Sequence, residues 1–98
     1  MMTKQNKDQL EAQRIAIFKA LADPVRLDII KYLKNTDHEV ACGEVGKAVH
    51  ISKSSGSYHF KLLQAAGLIT ARKEAREKYV ALDRQTIAQF VTGFFDSI

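Results

Sequence analysis

Apolar residues near both ends of the chain repeat at the spacing of one face of an α-helix. A first helix is predicted over about residues 8–22 and a last helix over about residues 84–98. The apolar positions of the last helix are Ile87, Phe90, Val91, Phe94, Phe95 and Ile98. The two apolar faces are larger than a chain of 98 residues readily covers, which favours a partner.

A second helix is predicted to begin at Pro24, the single proline of the chain. Asp23 stands directly before it, and Asp followed by Pro is typical of an N-cap and the first residue of a helix. Apolar residues continue at helical spacing from there to about residues 35–37, where the helix is expected to end.

A third and a fourth helix are predicted on either side of a tight turn. The third covers about residues 41–49, and the turn falls at residues 50–51. Ser52 is well placed as the N-cap of a fourth helix over residues 53–66. Two helices joined so closely are the signature of a helix-turn-helix unit, predicted here over about residues 41–66.

Two short strands are predicted after the fourth helix. Apolar and polar residues alternate over about residues 69–82, with a turn near residues 74–76, and this basic hairpin has the character of a wing. The predicted fold is therefore mainly α with a small β-hairpin, a winged helix-turn-helix of order α-α-α-α-β-β-α. One domain is expected to cover residues 1–98.

The fourth helix has two different faces when it is wound at 100° per residue. The side expected to pack against the domain holds Gly56, His59, Phe60 and Leu63. The opposite side holds short hydroxylated and basic residues: Lys53, Ser54, Ser57, Tyr58 and Lys61. Small side chains let a helix enter the major groove, where hydroxyls and lysines contact bases and phosphates. A capped helix on a solvated surface would carry similar serines, so composition alone leaves both interpretations open.

Positive charge is concentrated around this helix and the hairpin. The chain has a net charge of +4, and residues 45–80 hold seven basic and two acidic side chains. A basic segment of this kind favours a polyanionic partner. The single cysteine excludes an internal disulfide, the N-terminus is too polar for a signal peptide, and no apolar run could span a bilayer. A cytoplasmic protein is therefore expected.

Three segments carry a family resemblance: FKALADPVRLDIIKYLKN, EVGKAVHISKSSGSYHFKLLQAAGLI and ITARKEAREKYVAL. Together, over about residues 18–82, they resemble the ArsR-type (ArsR/SmtB) winged helix-turn-helix transcriptional repressors. The resemblance implies a homodimer that is joined through the first and last helices. It also implies binding to an inverted-repeat operator in double-stranded DNA and repression of the protein's own operon.

Residue roles are assigned on this basis, with helix 53–66 in the major groove and the wing against the DNA backbone or minor groove. The residues expected to contact DNA are Ser52, Lys53, Ser54, Ser55, Ser57, Tyr58, Lys61, Arg72, Lys73, Arg76 and Lys78. The residues expected at the dimer interface are Leu10, Ile17, Phe18, Ile87, Phe90, Val91, Phe94 and Phe95.

The metal sites common in the resembling family are not expected in this chain. Where some members carry a Cys-x-Cys pair, Cys42 stands between Ala41 and Gly43, and the last helix lacks the histidine that others use. His38 and Cys42, spaced i, i+4, could form a separate site with Asp37, but zinc normally takes three or four such ligands, so this site is not favoured. No metal or cofactor is therefore predicted, and the effector stays unassigned.

Three further points remain open in the sequence. Cys42 could act as a redox switch through an intermolecular disulfide, although a lone thiol is more often an inert apolar residue. His50 occupies the turn where the family usually has glycine, and it is expected at positive φ. The predicted hairpin tip also lacks glycine, which leaves its turn type undefined.

Two other classes of function were weighed against DNA binding. A winged helix can serve as a protein-interaction module, but Lys53 and Lys61 on the outer face of the fourth helix argue for DNA. An enzyme is not expected, because the cysteine and histidines form no recognisable nucleophile–base arrangement and there is no Gly-rich phosphate loop.

Overall fold

The computed structural model describes residues 6–98 and places the helix-turn-helix between a two-helix N-terminal part and a small sheet. The helices are α1 (Lys7–Leu21), α2 (Pro24–Lys34), α3 (Cys42–Ala48), α4 (Lys53–Ala65), α5 (Arg84–Ile87) and α6 (Phe94–Ser97), with a π-helical segment at Ala88–Thr92. The strands are β1 (Val40–Ala41), β2 (Ile69–Glu74) and β3 (Glu77–Leu82). The predicted domain also includes residues 1–5, which lie outside the described residues.

Side-chain caps fix where α1 and α2 begin. Asn6 and Gln9 form a reciprocal capping box, each side chain accepting the other's backbone N–H at 2.8–2.9 Å. This box starts α1 one residue before the predicted start. Asp23 accepts the backbone N–H groups of Val25 and Arg26 at 3.0 Å, and Pro24 opens α2 as predicted.

The turn of the helix-turn-helix is closed by backbone hydrogen bonds. Ile51 donates its N–H to the carbonyl oxygen of Gly46 at 3.0 Å. His50 has a φ of 59°, so its predicted left-handed conformation is confirmed. Ser52 then caps α4, its Oγ accepting the N–H of Ser55 at 3.2 Å.

The sheet has three antiparallel strands in the order β1-β3-β2, one more than the predicted hairpin. The pairs Val40–Val80 and Ala41–Tyr79 form the extra strand, which delays the start of α3 to Cys42. Two residues are too few to show strand alternation, so β1 has no recognisable pattern in the sequence. The β2–β3 turn consists of two residues, and Ala75 in it has a φ of 55°.

The core is formed by side chains of α1 to α4, the sheet and the π-helical segment. Its fully buried side chains are Ile17, Ile29, Leu33, Val45, Leu63, Leu68, Val80 and Phe90. Burial of apolar area of this kind is the main favourable term in folding. Among residues 6–98, no helix combines the length and the hydropathy needed to cross a bilayer.

The predicted continuous helix over residues 84–98 is wrong in detail. Its middle is a π-helical segment in which Gly93 donates its N–H to Ala88, five residues earlier, at 2.9 Å. A Cβ on Gly93 would lie 2.6 Å from the Ala88 carbonyl oxygen, so the break depends on glycine.

Two residues predicted at a dimer interface are part of this chain's own core instead. Ile17 has no exposed surface and Phe90 has 2%. The periodicity that marked them as apolar faces is the same for a core and for an interface, which is why the sequence could not separate the two.

Substitution of Gly93 by alanine is expected to lower the free energy of unfolding by about 1–3 kcal/mol, because the new Cβ overlaps a backbone oxygen. Gly43→Ala is the matched control. Its Cβ meets nothing within 4 Å, so a change between zero and a gain of about 1 kcal/mol is expected. Urea unfolding at one fixed protein concentration measures both. Equal effects would show that the contact at Gly93 does not hold the break in place.

Candidate nucleic-acid interface

Helix α4 turns one face into the domain and the other to solvent, as its sequence predicts. Gly56, Phe60 and Leu63 are buried, and His59 is largely covered. The residues of α4 and its cap that were predicted to contact DNA all lie exposed at the surface: Ser52, Lys53, Ser54, Ser55, Ser57, Tyr58 and Lys61. We call these seven residues the reading face.

A hydrogen-bond network holds α4 against the junction of α1 and α2. The guanidinium of Arg26 lies 3.2 Å from Nδ1 of His59, and its Nε donates to the carbonyl oxygen of Ala20 at 2.7 Å. Arginine has only donors, so Nδ1 of His59 is the acceptor in this contact. His59 is thus a packed residue, as expected.

The carboxylate of Asp23 completes this network on the α2 side. It lies 3.9 Å from Nδ1 of His59, and the backbone N–H that it accepts from Arg26 lowers the pKa of the Asp23 carboxyl below its usual value. The cap of α2 therefore remains ionised at neutral pH, next to the guanidinium that contacts α4.

The wing brings like charges together on neighbouring strands. Lys73 on β2 is the direct partner of Lys78 on β3, and Arg76 stands exposed in the turn between them. Like charges placed directly opposite each other destabilise a hairpin. A bound polyanion would neutralise these lysines and remove the repulsion between them.

Arg72 is placed differently from the other cations of the wing. Its guanidinium forms ion pairs with Glu39 at 2.9 Å and Glu74 at 3.2 Å, and it stacks on the ring of Tyr79 at 5.0 Å. In the unbound chain Arg72 is therefore held in ion pairs, and its predicted contact with DNA stays a prediction. Glu39 lies 33 residues away in sequence, and no local pattern could have indicated this pair.

Cys42 and His38 do not form the i, i+4 pair considered from the sequence. His38 precedes β1 and contacts Asp37 at 2.9 Å, whereas Cys42 is the first residue of α3. Partial burial raises the pKa of the Cys42 thiol, which disfavours the reactive thiolate at neutral pH. Within residues 6–98, no cluster of three or more acidic, histidine or cysteine side chains could hold a metal ion.

An exposed apolar patch lies where α1 meets α6. We define it as Ile15, Phe18, Phe94, Phe95 and Ile98. The rings of Phe18 and Phe94 meet edge-to-face at 5.3 Å, and Phe95, in contact with Phe94, is 85% exposed. Ile15 and Ile98 were not among the predicted interface residues, and their exposure in the structure is what identifies them.

The remaining residues predicted at the interface are only partly exposed. Leu10, Ile87 and Val91 are partly buried and pack on the core. Arg14 joins the two helices by donating to the carbonyl oxygen of Ser97 at 2.7 Å, in contact with Glu11 and 5.6 Å from the ring centre of Phe90. The buried Arg14 therefore links α1 to the end of α6, the two helices that carry the apolar patch.

An exposed reading face on the second helix of a helix-turn-helix, followed by a basic hairpin, defines a winged helix-turn-helix DNA-binding protein. A family model described as a helix-turn-helix domain matches residues 21–72. The chain is 46% identical over 98 residues to the uncharacterized HTH-type transcriptional regulator YceK of Bacillus subtilis, covering all of this chain and 95% of that protein. It belongs to the ArsR/SmtB family of winged helix-turn-helix transcriptional regulators.

Two further relatives illustrate the range of this similarity. The transcriptional activator HlyU of Vibrio cholerae is 29% identical over 90 residues, which is 92% of this chain and 82% of that protein. The fold matches the solution structure of a homodimeric winged helix-turn-helix DNA-binding domain from Mycobacterium bovis, with a TM-score of 0.75 and 24% identity. That match covers 98% of this chain and 90% of the other.

Glu39→Gln is expected to strengthen DNA binding, because it releases Arg72 from its main ion-pair partner. The slope of log K against log salt should steepen by about 0.9, the contribution of one additional phosphate contact. Titration of labelled DNA at several salt concentrations measures this slope. Asp28→Asn is the control, since it makes the same change in net charge without touching the wing. An equal gain in the control would show that the Glu39–Arg72 pair plays no part in DNA binding.

Proposed function

We propose that this protein is a homodimeric, sequence-specific repressor that binds an inverted-repeat operator and controls its own operon from the cytoplasm. The observation that carries the proposal is the reading face of α4. Seven hydroxylated, basic or phenolic residues point to solvent, while Phe60 and Leu63 anchor the same helix in the core.

The side chains of the reading face make the N-terminal half of α4 suitable for the major groove. Serine hydroxyls both donate to and accept from base edges, and Lys53 and Lys61 neutralise phosphates on either side. Lys73, Arg76 and Lys78 of the wing would contact the adjacent backbone. The N-terminal residues of a recognition helix are those that reach the bases, and here they include the short side chains of Ser54, Ser55 and Ser57.

The exposed apolar patch supports a homodimer. Phe18, Phe94 and Phe95 are joined by ring contacts, Ile15 on α1 and Ile98 after α6 are exposed, and Phe95 and Ile98 are 85% and 68% exposed. A patch of large apolar groups is unfavourable in water unless another surface covers it. A second copy would cover like with like around a two-fold axis, and the homodimeric Mycobacterium bovis domain has this fold.

A two-fold dimer would present two copies of α4 to one side of a duplex. Its operator should then be an inverted repeat with half-sites about one helical turn apart. Bound at a promoter, such a dimer would repress by excluding the polymerase. Whether such a dimer represses or activates depends on where its operator lies, and the relative HlyU is a transcriptional activator.

Selection of bound duplexes from a random DNA pool at near-physiological salt tests the function as a whole. Recovery of an inverted repeat is expected, and the same sequence should occur upstream of the protein's own gene. Binding without a motif that vanishes steeply with salt would leave only a basic surface. A winged-helix protein-interaction module would then be the better description.

Ser57→Glu is expected to abolish specific binding, with a loss of about 100-fold or more in affinity, because it places a carboxylate in the groove. Gln64→Glu adds the same group to the same helix about 10 Å further along its axis, and should bind nearly as the parent does. Fluorescence anisotropy with the selected operator measures both, and thermal unfolding verifies the fold. Normal binding by Ser57→Glu would refute the assignment of α4.

Phe95→Asp is expected to shift the protein from dimer to monomer by raising the dimer dissociation constant at least about tenfold, because a charge would be buried in the apolar interface. Phe95→Leu keeps an apolar contact and should remain dimeric. Sedimentation velocity over a concentration series measures the dissociation constant. A Phe95→Asp protein that stays dimeric would place the interface elsewhere on the molecule.

A further inference from the structure

A cavity of about 490 Å³ lies between α3, the N-terminal half of α4 and the tip of the wing. Its size is within the range of about 300–1,000 Å³ that small-molecule sites occupy. Cys42, Ile51 and Phe60 give it an apolar wall. The cavity is separate from the apolar patch, and it lies beside residues of the reading face and the wing.

Three of the five glycines of the chain line this cavity: Gly43, Gly46 and Gly56. None of them has a positive φ, so their backbone conformations do not require glycine. A Cβ on Gly43 would meet nothing within 4 Å, and one on Gly46 would make only an ordinary contact of 3.6 Å with Ile51. A Cβ on Gly56 would lie 3.2 Å from the side chain of Ile51, so this glycine also serves close packing. Glycine is poorer than alanine within helices, so open space at Gly43 and Gly46 is kept against helix propensity.

Cationic side chains surround the opening of the cavity. Lys47, Lys53, Arg76 and Lys78 line it together with a single carboxylate, Glu77. None of these four cations takes part in an ion pair in the described part of the chain. An apolar wall with unpaired cations at its edge is complementary to a molecule with an apolar body and a negative group.

We propose that this cavity binds a small organic carboxylate with an aryl or branched alkyl body. The body would lie against Cys42, Ile51 and Phe60, and the carboxylate would face Lys47 and Lys78. A bare phosphate, free or in DNA, has no group to place on the apolar wall, and the carboxylate class is therefore favoured.

Occupation of the cavity would also weaken DNA binding, a consequence that rests on the proposed function. Ser52, Lys53 and Ser57 line the cavity and belong to the reading face. A ligand held between them and Arg76 of the wing tip would engage cations that DNA needs. The cavity would thus be the effector site of the regulator.

Binding is tested without DNA, by titrating the full chain with phenylacetate, indole-3-acetate and 4-methylpentanoate while recording amide NMR spectra. Saturable shifts at the amides of Gly43, Gly46 and Gly56 are expected for at least one carboxylate. The matched amide of that acid should bind at least about tenfold more weakly, and acetate should cause no localised shift. Equal shifts with acetate, shifts outside the cavity, or none from any acid would overturn the proposal.

Two variants locate the site. Lys47→Gln is expected to weaken carboxylate binding about fivefold, the effect of one partly exposed charge, while Lys31→Gln on α2 should have no effect. Gly43→Leu should fill part of the cavity and exclude the acid, since the space around its Cβ is open and the fold should tolerate it. Binding that survives Gly43→Leu unchanged would place the ligand elsewhere.

The regulatory consequence has its own readout. The bound acid should release the selected operator and slow alkylation of Cys42, the single thiol of the chain. Carboxylate binding with unchanged DNA affinity would overturn the effector role, but the assignment of the cavity as a carboxylate site would stand. Failure of the operator selection would instead affect only the proposed DNA function.

Discussion

The contact between Arg26 and His59 determines how α4 is presented. Arg26 lies in the first turn of α2, where Asp23 caps the helix. Its guanidinium contacts the carbonyl oxygen of Ala20 near the end of α1 and His59 on the inner side of α4. The direction of α4 is therefore tied to the angle between the first two helices. A reading face is useful only if its angle is fixed, since phosphate contacts set the register of a protein on DNA.

The reading face and the wing both contain local arrangements that do not favour folding. Serines are modest helix formers, and α4 opens with several of them. Lys73 opposes Lys78 across the hairpin, and both turns place a non-glycine residue, His50 or Ala75, at positive φ. Conflicts of this kind are expected at functional sites, where the rest of the structure compensates for them.

Much of this architecture could be predicted because short-range chemistry specifies it. The Asp23-Pro24 start of α2, the Ser52 cap and the inward side of α4 all follow from local rules. Strand β1 could not be predicted, since its pairing with β3 depends on residues about forty positions away. The Glu39–Arg72 pair and the burial of Ile17 likewise depend on tertiary contacts, which periodicity does not encode.

The π-helical segment at Ala88–Thr92 has a consequence for how such regulators diverge. A π turn holds one residue more than an α turn, and each residue rotates a helix by about 100°. Deleting one residue here would restore a regular helix and rotate Phe94 and Phe95 to another side. A paralogue could thus acquire a different pairing surface through a single-codon deletion rather than through many substitutions. Two such paralogues in one cell would form separate dimers although their reading helices remained the same.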